Sequence, residues 1–374
     1  MPEGNADEAA VVDGIGIYPV RTLREAVDFL SGAVRIEPAF TDLAGMVNGN
    51  ADFGDDFADV KGQEGARRAI EVAVAGGHNL LMVGSPGSGK TMLARRIPSI
   101  LPPLTVEEAL EVTRVHSVAG LLKSRESLVV RRPFRSPHHT VSDIGLLGGG
   151  AHPGPGEVSL AHRGVLFLDE FAEFPRNALE VLRQPLEDGH VSIARAAAAC
   201  DFPSRFMLVA AMNPCPCGYS DDPKHLCRCS QRQITAYRSK ISGPLLDRID
   251  IQIGLPPVSC HDLMDLPPGE PSKNIRARVI AARQRQRARF AGTPGVYCNA
   301  DMRSRDLARF CKLDATAQDR VRLLLQGMDL SARAYDRVLK VARTIADLAG
   351  CDQVTDGHVS EACAYRELDR NYWN

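Results

Sequence analysis

Four short apolar runs mark the middle of the chain, and each has the length of a buried strand. They are NLLMVG (79–84), GVLFLDE (164–170), RFMLVAAMN (205–213) and IDIQIGL (249–255). Helical segments lie between some of them, a pattern typical of a largely parallel sheet. From about residue 271 the strand-like runs stop and helical patterns follow. We therefore predict an α/β domain followed by an all-α region.

The N-terminal segment carries a weaker pattern. Residues 17–32 predict a short strand and then a helix with Leu23, Val27 and Leu30 on one face. Residues 41–56 are rich in Gly, Asn and Asp and predict a linker. Because one helix buries too little surface to fold alone, this segment is not predicted to be an independent domain.

The composition of the chain is that of a globular protein. The 374 residues are 44% hydrophobic and 24% charged with a net charge of −1, which fits a globular protein without a globally basic surface. No apolar run approaches the length of a membrane span, and the first residues lack the basic and apolar segments of a signal peptide. We therefore expect a cytoplasmic protein with no membrane partner.

A phosphate-binding loop follows the first apolar run. The pattern G-x-x-x-x-G-K-[ST] is matched in full by Gly84, Ser85, Pro86, Gly87, Ser88, Gly89, Lys90 and Thr91. In such loops backbone N–H groups face the β-phosphate, the lysine reaches the β- and γ-oxygens, and the threonine hydroxyl holds Mg²⁺. Because the motif lies between a strand and a helical segment, we predict that the chain binds ATP with Mg²⁺.

Polar side chains at the ends of two later strands complete the predicted catalytic site. Asp169 and Glu170 follow the apolar run VLFL, at the end where α/β sheets place ligands. Asp169 is expected to bind Mg²⁺, directly or through water, and Glu170 to polarise the attacking water. Asn213 ends the next run, where it either orients the same water or forms a turn before Pro214. These residues together predict ATP hydrolysis.

Four of the ten cysteines lie close together in sequence. Cys215, Cys217, Cys227 and Cys229 form two C-x-C pairs, and the other six cysteines are scattered. Four thiolates in a cytoplasmic chain favour a structural zinc site with no open coordination position. Two reduced pairs or an adventitious disulfide are the alternatives, because one residue between ligands is tighter than usual.

Longer motifs connect the chain to a family. Over nearly all of residues 57–368 the chain resembles the Mg-chelatase-like AAA+ ATPases of the YifB/ComM type. The runs that carry the resemblance include RPFRSPHHTVSDIGLLGGG, VLRQPLEDGHVSIARA, AAMNPCPCG, SGPLLDRIDIQI and LSARAYDRVLKVARTIADLAG. The resemblance implies an AAA+ P-loop ATPase with a parallel-sheet core and an all-α lid domain.

The same resemblance implies roles for two arginines. Arg248 in LLDRID occupies the position of the arginine finger, which reaches the γ-phosphate of a neighbouring subunit. Arg333 in SARAYDR occupies the position of the lid's sensor arginine, which contacts the nucleotide. Without the family, both would be interpreted as ordinary surface arginines. An arginine that acts on a neighbour implies a homo-oligomeric ring, usually a hexamer in such ATPases.

Related ring helicases carry hairpins that line a pore and touch nucleic acid. Here the resemblance implies an insertion within residues 133–150 and a hairpin through 191–206, in which Arg195 either contacts DNA phosphates or is a solvated charge. His138 and His139 are interpreted as a hydrogen-bonded pair rather than a metal site. The arginine-rich segment 275–290 is interpreted as a solvated or intersubunit face of a lid helix rather than a DNA-binding stripe.

The start of the chain departs from the family. Members carry an N-terminal Lon-protease-like domain, and residues 5–32 resemble only its end, so the chain is either a naturally short member or lacks the start. The predicted divisions are a domain remnant with a linker (1–50), an AAA+ α/β domain with inserted hairpins (51–258) and a helical lid of the Mg-chelatase C-terminal type (259–374).

Three functions fit these residues. The first is an ATP-driven ring motor on single-stranded or branched DNA, acting in branch migration during recombination or transformation. The second is a chelatase motor subunit that remodels a metal-insertion partner. The third is a nucleotide-gated scaffold with weak turnover, which the presence of both Glu170 and Arg248 disfavours. The runs PHHT, NPCPCG and SARAYDR favour the first function over the second.

Overall fold

The fold is taken from a computed structural model of the chain. It describes residues 1–10, 14–40, 45, 53–122, 128–150, 154–195, 198–257, 264–328, 332–366, 368–369 and 372–373. The predicted domain boundaries near residues 50 and 258 lie outside these residues, as does most of the predicted linker.

A parallel sheet forms the centre of the fold. The strands in chain order are β1 (Leu80–Gly84), β2 (Phe134–Arg135), β3 (Gly148–Gly149), β4 (Gly154–Pro155), β5 (Val165–Leu168), β6 (His190–Arg195), β7 (Ala198–Pro203), β8 (Met207–Met212) and β9 (Ile251–Leu255). Five of them pair in parallel in the order β2-β5-β8-β1-β9. The predicted sheet is confirmed, and β1, β5, β8 and β9 are the four apolar runs. Strand β2 was missed because two residues carry no periodicity.

Helices cover both faces of this sheet and make up the C-terminal region. In chain order they are α1 (Ala6–Ala9), α2 (Leu23–Leu30), α3 (Glu64–Gly76), α4 (Lys90–Ile100), α5 (Val106–Val118), α6 (Asp143–Leu147), α7 (Glu157–Leu160), α8 (Arg176–Glu180), α9 (Arg183–Asp188), α10 (Gln231–Arg238), α11 (Gly243–Leu246), α12 (Ser272–Phe290), α13 (Ser304–Phe310), α14 (Ala315–Met328), α15 (Ala332–Leu348) and α16 (Asp356–Ala364). The predicted all-α region is therefore confirmed. Among the described residues, no helix has the length and apolar character needed to span a bilayer.

The two faces of the sheet bury two separate cores. Alternation along β1 sends Leu80 and Met82 to one face and Leu81 and Val83 to the other. The first face packs against α3, α4 and the lid helices α12, α15 and α16. The second face packs against the elements that follow β5 and β8, and against the C-terminal Tyr372. The lid helices therefore share one core with the α/β domain.

Four of the six arginines of α12 make hydrogen bonds within the chain. Arg278 pairs with Glu71 of α3 and with Glu270, and Arg289 pairs with Asp347 of α15. Arg276 and Arg283 donate to backbone carbonyls of the α/β domain. Arg276, Arg278 and Arg283 thus join the lid to the ATPase domain. Arg285 and Arg287 are exposed, so for them a solvated or intersubunit face stays a prediction.

The predicted N-terminal helix and the predicted hairpin both form, and the predicted N-terminal strand forms only in part. Helix α2 forms as predicted, with Leu23 and Leu30 each 83% exposed. The predicted strand before it is reduced to single bridges, among them Ile17 with Ala39. Strands β6 and β7 pair antiparallel, within one residue of the predicted hairpin's start. The side chain of Arg195, at the end of β6, lies outside what the structure describes.

Candidate nucleotide-binding site

The phosphate-binding loop lies at the carboxyl edge of the sheet, between β1 and α4. Gly87 and Gly89 have φ values of 80° and 88°, a left-handed conformation that glycine adopts without strain. A Cβ on Gly87 would meet no atom within 4 Å, so the loop opens outward there. A Cβ on Gly84 would come within 2.7 Å of Ser88 Oγ, which explains the glycine at the strand's end.

Lys90 is held inside this loop. Its buried ammonium donates to the carbonyls of Gly84 and Ser85 at 2.7 and 2.9 Å. Burial lowers the pKa of Lys90, and the charge of Asp169 partly opposes that shift. The Ser85 hydroxyl is buried without a hydrogen-bond partner among the described residues. A desolvated cation beside an unpaired hydroxyl fits an anionic ligand such as a phosphate chain.

Two oxygen ligands lie beside the lysine. The Thr91 hydroxyl donates to Asp169 Oδ2 at 2.7 Å, and Asp169 Oδ1 accepts from the Glu170 N–H at 2.9 Å. Oxygen ligands are the type that Mg²⁺ prefers, and a hydroxyl and one carboxylate leave room for water and phosphate. The structure therefore brings together Lys90, Thr91 and Asp169, the residues predicted to hold Mg²⁺ and ATP.

Glu170 has a partner that the sequence did not reveal. Its carboxylate lies 2.8 Å from His139 Nδ1, and its side chain is 54% exposed. Its φ of 53° is unusual for a residue with a side chain and turns Glu170 away from β5. The His139 ring packs against His138 at 4.1 Å between centroids. The two histidines are paired by ring packing, while their polar contacts go to other residues: His138 to Thr140 and His139 to the predicted catalytic glutamate.

Asn213 lies between the P-loop and the acidic strand end. It follows β8, which separates β1 from β5 in the sheet. A Cβ built on Gly218 would lie 3.9 Å from the Asn213 side chain and 2.6 Å from Pro86 of the P-loop. The position suits contact with a bound γ-phosphate or water, and that role stays a prediction.

The four clustered cysteines converge after β8. The sulfurs of Cys215, Cys217, Cys227 and Cys229 all lie within 4.8 Å of one another, and all four are free thiols. Three of the separations are 3.4, 3.6 and 3.7 Å. A tetrahedral Zn–S₄ site with bonds of about 2.3 Å has sulfurs about 3.8 Å apart. One cluster of four thus fits a metal better than two separate pairs or a disulfide.

One of these sulfurs is stabilised as a thiolate by the backbone. The N–H groups of Arg228 and Tyr219 donate to Cys217 and lower its pKa to about 6. Turns that point N–H groups at a thiolate favour the ionised form that binds metal.

Arg248 and Arg333 lie at the opposite edge of the sheet. Arg248 precedes β9, and its carbonyl accepts from Asn79, which precedes β1, at 2.8 Å. Its guanidinium pairs with Glu187, and Arg333 lies 3.5 Å from Asp247. Strand β1 has five residues and is about 16 Å long, which separates these arginines from the P-loop of the same chain. The structure does not bring them to the phosphate site.

Both arginines face a basic cavity of about 550 Å³. Its cationic lining includes Arg132, Arg163, Arg205, Arg248, Arg333 and Arg337. Arg337 lies 3.5 Å from Asp250, which pairs in turn with buried His78. Arg132 and Arg163 also pair with carboxylates, whereas Arg205 donates to the Gly295 carbonyl at 3.1 Å.

The sheet order and the site together define a class of protein. One strand, β8, lies between the P-loop strand β1 and the acidic strand β5, and a helical domain packs on one face. This is the arrangement of an AAA+ P-loop ATPase.

Comparison with known families agrees with this class. The profile of the family described as "Magnesium chelatase, subunit ChlI" matches residues 56–263, and that described as "Magnesium chelatase, subunit ChlI C-terminal" matches residues 269–366. The chain therefore belongs to the magnesium-chelatase ChlI family of AAA+ ATPases, which confirms the resemblance seen in its sequence.

Individual relatives are longer than this chain. The chain is 43% identical to YifB of Escherichia coli over 99% of its own length and 71% of the relative's. It is 43% identical to the "Competence protein ComM" of Haemophilus influenzae over 98% and 71%. A more distant match, 27% identical over 38% of this chain and 15% of the relative, is the "DNA helicase MCM8" of Xenopus laevis.

Proposed function

We propose that the chain is the ATP-hydrolysing unit of a homo-oligomeric ring, usually a hexamer in such ATPases, that acts on DNA. The observation that carries the proposal is the separation of the two sheet edges. The P-loop lies at one edge, and Arg248 and Arg333 lie about one strand length away at the other. This separation supports a role for Arg248 at the nucleotide of a neighbouring copy, and we extend the same role to Arg333.

Each residue then has one task in hydrolysis. Lys90 binds the β- and γ-oxygens, and Thr91 and Asp169 would hold Mg²⁺, which neutralises phosphate charge when bound. Glu170 polarises the attacking water, with Asn213 as a second contact for it. His139 orients Glu170 through the 2.8 Å contact. The neighbour's Arg248 and Arg333 stabilise the charge that develops on the phosphoryl group.

The domain division follows the same proposal. The ATPase domain spans 51–258 and the lid spans 259–374, with 1–50 before them. The arginine contacts of α12 join the lid to the ATPase domain within a subunit.

DNA is the substrate that the relatives favour. One is named a competence protein and another a DNA helicase. The antiparallel hairpin β6–β7 extends from the α/β domain, and a ring would repeat its Arg195 once per subunit. Repeated cations of this kind bind a phosphate backbone without reading sequence.

The test is ATP turnover with and without single-stranded and branched DNA over a salt series. We expect stimulation by DNA that falls as salt rises, because phosphate contacts release counterions. The ratio of turnover with DNA to turnover without it should fall in Arg195→Ala. Arg24→Ala, an exposed arginine on α2, should leave that ratio unchanged. An ATPase indifferent to every DNA structure would remove DNA from the proposal.

A second candidate is a chelatase motor subunit. The family description itself favours it, since both matching profiles are those of a magnesium-chelatase subunit. In that case turnover should respond to a metal-insertion partner and not to DNA. The same DNA titration therefore separates the two candidates.

We also propose that the cysteine cluster holds one structural Zn²⁺ per chain. The sulfur separations support it, because they match those of a tetrahedral Zn–S₄ site. Metal analysis of protein purified without added metal should find about one zinc per subunit.

A further inference from the structure

The cysteine cluster lies directly against the phosphate-binding loop. Gly218, which follows Cys217, has a φ of 87°, and a Cβ there would come within 2.6 Å of Pro86 Cδ and 2.7 Å of Pro86 Cγ. The backbone of the cysteine loop therefore touches the ring of a P-loop residue. The cluster also begins two residues after Asn213, at the end of β8.

The base of the cysteine loop is anchored on its other side by the C-terminal segment. The Pro214 carbonyl accepts from the Tyr372 hydroxyl at 3.0 Å and from Arg238 Nε at 3.2 Å. The Arg238 guanidinium lies 3.6 Å from the centre of the Tyr372 ring. Pro214 is thus fixed, and the Gly218 N–H donates to the Cys215 carbonyl at 2.9 Å, so Gly218 closes the turn that carries the first two cysteines.

That following chain has little structure of its own. Residues 213–230, all of which the structure describes, contain no helix or strand. Leu226, beside Cys227, is 89% exposed, so apolar burial does not hold this part of the loop. The two halves meet at the cysteines: Cys227 Sγ lies 3.7 and 3.6 Å from the sulfurs of Cys215 and Cys217, and the Arg228 N–H donates to Cys217. Four thiols at such separations stay together when a metal bridges them.

We infer that zinc bound by the four cysteines braces the P-loop through the contact between Gly218 and Pro86, so that metal occupancy sets nucleotide affinity. The inference rests on the zinc site and the P-loop assignment proposed above. Without metal the two C-x-C halves separate, the turn that Gly218 closes loses the support of the second half, and its contact with Pro86 loosens. Only a fraction of the molecules then has a P-loop that can bind nucleotide. The apparent affinity for nucleotide is the intrinsic affinity multiplied by that fraction.

The first test compares zinc-loaded and chelator-stripped full-length protein. Zinc content, melting temperature and affinity for a fluorescent ATP analogue are measured on the same samples. Stripping should weaken nucleotide binding about tenfold if the competent loop falls to about one part in ten, and added Zn²⁺ should restore it.

The second test breaks the contact and leaves the metal ligands in place. Gly218→Ala keeps all four cysteines but drives a methyl group into Pro86. We expect unchanged zinc content and about tenfold weaker nucleotide binding. Gly292→Ala is the matched control, because Gly292 has a similar φ of 81° with no atom within 4 Å of an added Cβ. It carries the same backbone strain and should bind nucleotide normally.

The possible outcomes distinguish a failure of the proposed zinc brace of the P-loop from a failure of the zinc site or of the P-loop assignment. Lys90→Ala in the same assay reports on the P-loop alone. If zinc is present but neither stripping nor Gly218→Ala changes nucleotide affinity, the brace is wrong and the zinc and ATPase proposals stand. If only Gly218→Ala weakens binding, the contact matters and the metal does not, which overturns the inference. Zinc-free protein with full nucleotide affinity overturns both the brace and the zinc site.

Discussion

The two edges of the central sheet differ in whether one chain brings the predicted site residues into contact. At the carboxyl edge, Lys90, Thr91 and Asp169 form one connected set with the P-loop backbone, inside a single chain. At the amino edge, Arg248 and Arg333 pair with Glu187 and Asp247. The first edge joins its predicted ligands within one chain, and the second presents arginines that are paired away from the P-loop of that chain.

On the proposed function, the difference means that binding needs one subunit and hydrolysis needs two. The residues proposed to hold the nucleotide lie together in one chain. The arginines proposed to stabilise the charge of phosphoryl transfer lie a strand length away, so a neighbouring subunit would supply them. Variants at the two edges should therefore fail in different ways.

The largest effect is expected at the carboxyl edge. Lys90→Ala should abolish tight ATP·Mg²⁺ binding, because it removes the cation that faces the β- and γ-oxygens. A fluorescent-nucleotide titration measures this. Arg95→Ala, an exposed cation on the same helix, is the control and should bind normally. Wild-type affinity in Lys90→Ala would refute the phosphate site.

The next effect belongs to the amino edge. Arg248→Ala should bind ATP almost normally as a subunit but lose about 10³–10⁵ in hydrolysis rate, the range seen for arginine fingers. Steady-state turnover beside a binding titration measures both. Loss of nucleotide binding by the isolated subunit would instead place Arg248 at the site of its own chain.

Glu170→Gln tests the catalytic role at the carboxyl edge. Binding should survive, since Asp169 and Thr91 remain, while turnover falls about 10²–10⁴-fold with the water-polarising carboxylate gone. An ATP-bound ring should accumulate, as seen by nucleotide content after gel filtration.

A companion variant probes the partner of Glu170. His139→Gln keeps the carboxylate but loosens its position, so turnover should fall by no more than about 10²-fold. Turnover near wild type in Glu170→Gln would move the catalytic role to another residue.

The smallest effect on turnover should come from Glu187, the ion-pair partner of Arg248. Glu187→Gln removes the carboxylate that competes for Arg248. The Glu187 side chain is 62% exposed, and an ion pair that solvent reaches is worth about 0.2–1 kcal/mol. Turnover should rise, by no more than about fivefold. A fall in turnover would show that Glu187 positions the arginine instead of restraining it.

Local patterns made one edge predictable and the other not. The P-loop is one unbroken run of residues, and so is the acidic strand end. Glycine spacing located the first, and the apolar run before the acidic pair located the second. The contacts of His139 with Glu170 and of Arg248 with Glu187 join distant segments, and nothing in a single sequence specifies them. Strand β2 is too short to carry a pattern, and the roles of both arginines came only from the family resemblance.

The proposed ATPase site is shared between the P-loop of one subunit and Arg248 of its neighbour. The measurement that tests this sharing most directly mixes two inactive variants. Lys90→Ala subunits keep the finger, and Arg248→Ala subunits keep the P-loop. In mixed rings an intact P-loop meets an intact finger at some interfaces, so the mixture should regain ATP turnover above either variant alone. If mixed rings demonstrably form and stay as inactive as the separate variants, Arg248 does not act on a neighbour's nucleotide and the account is contradicted.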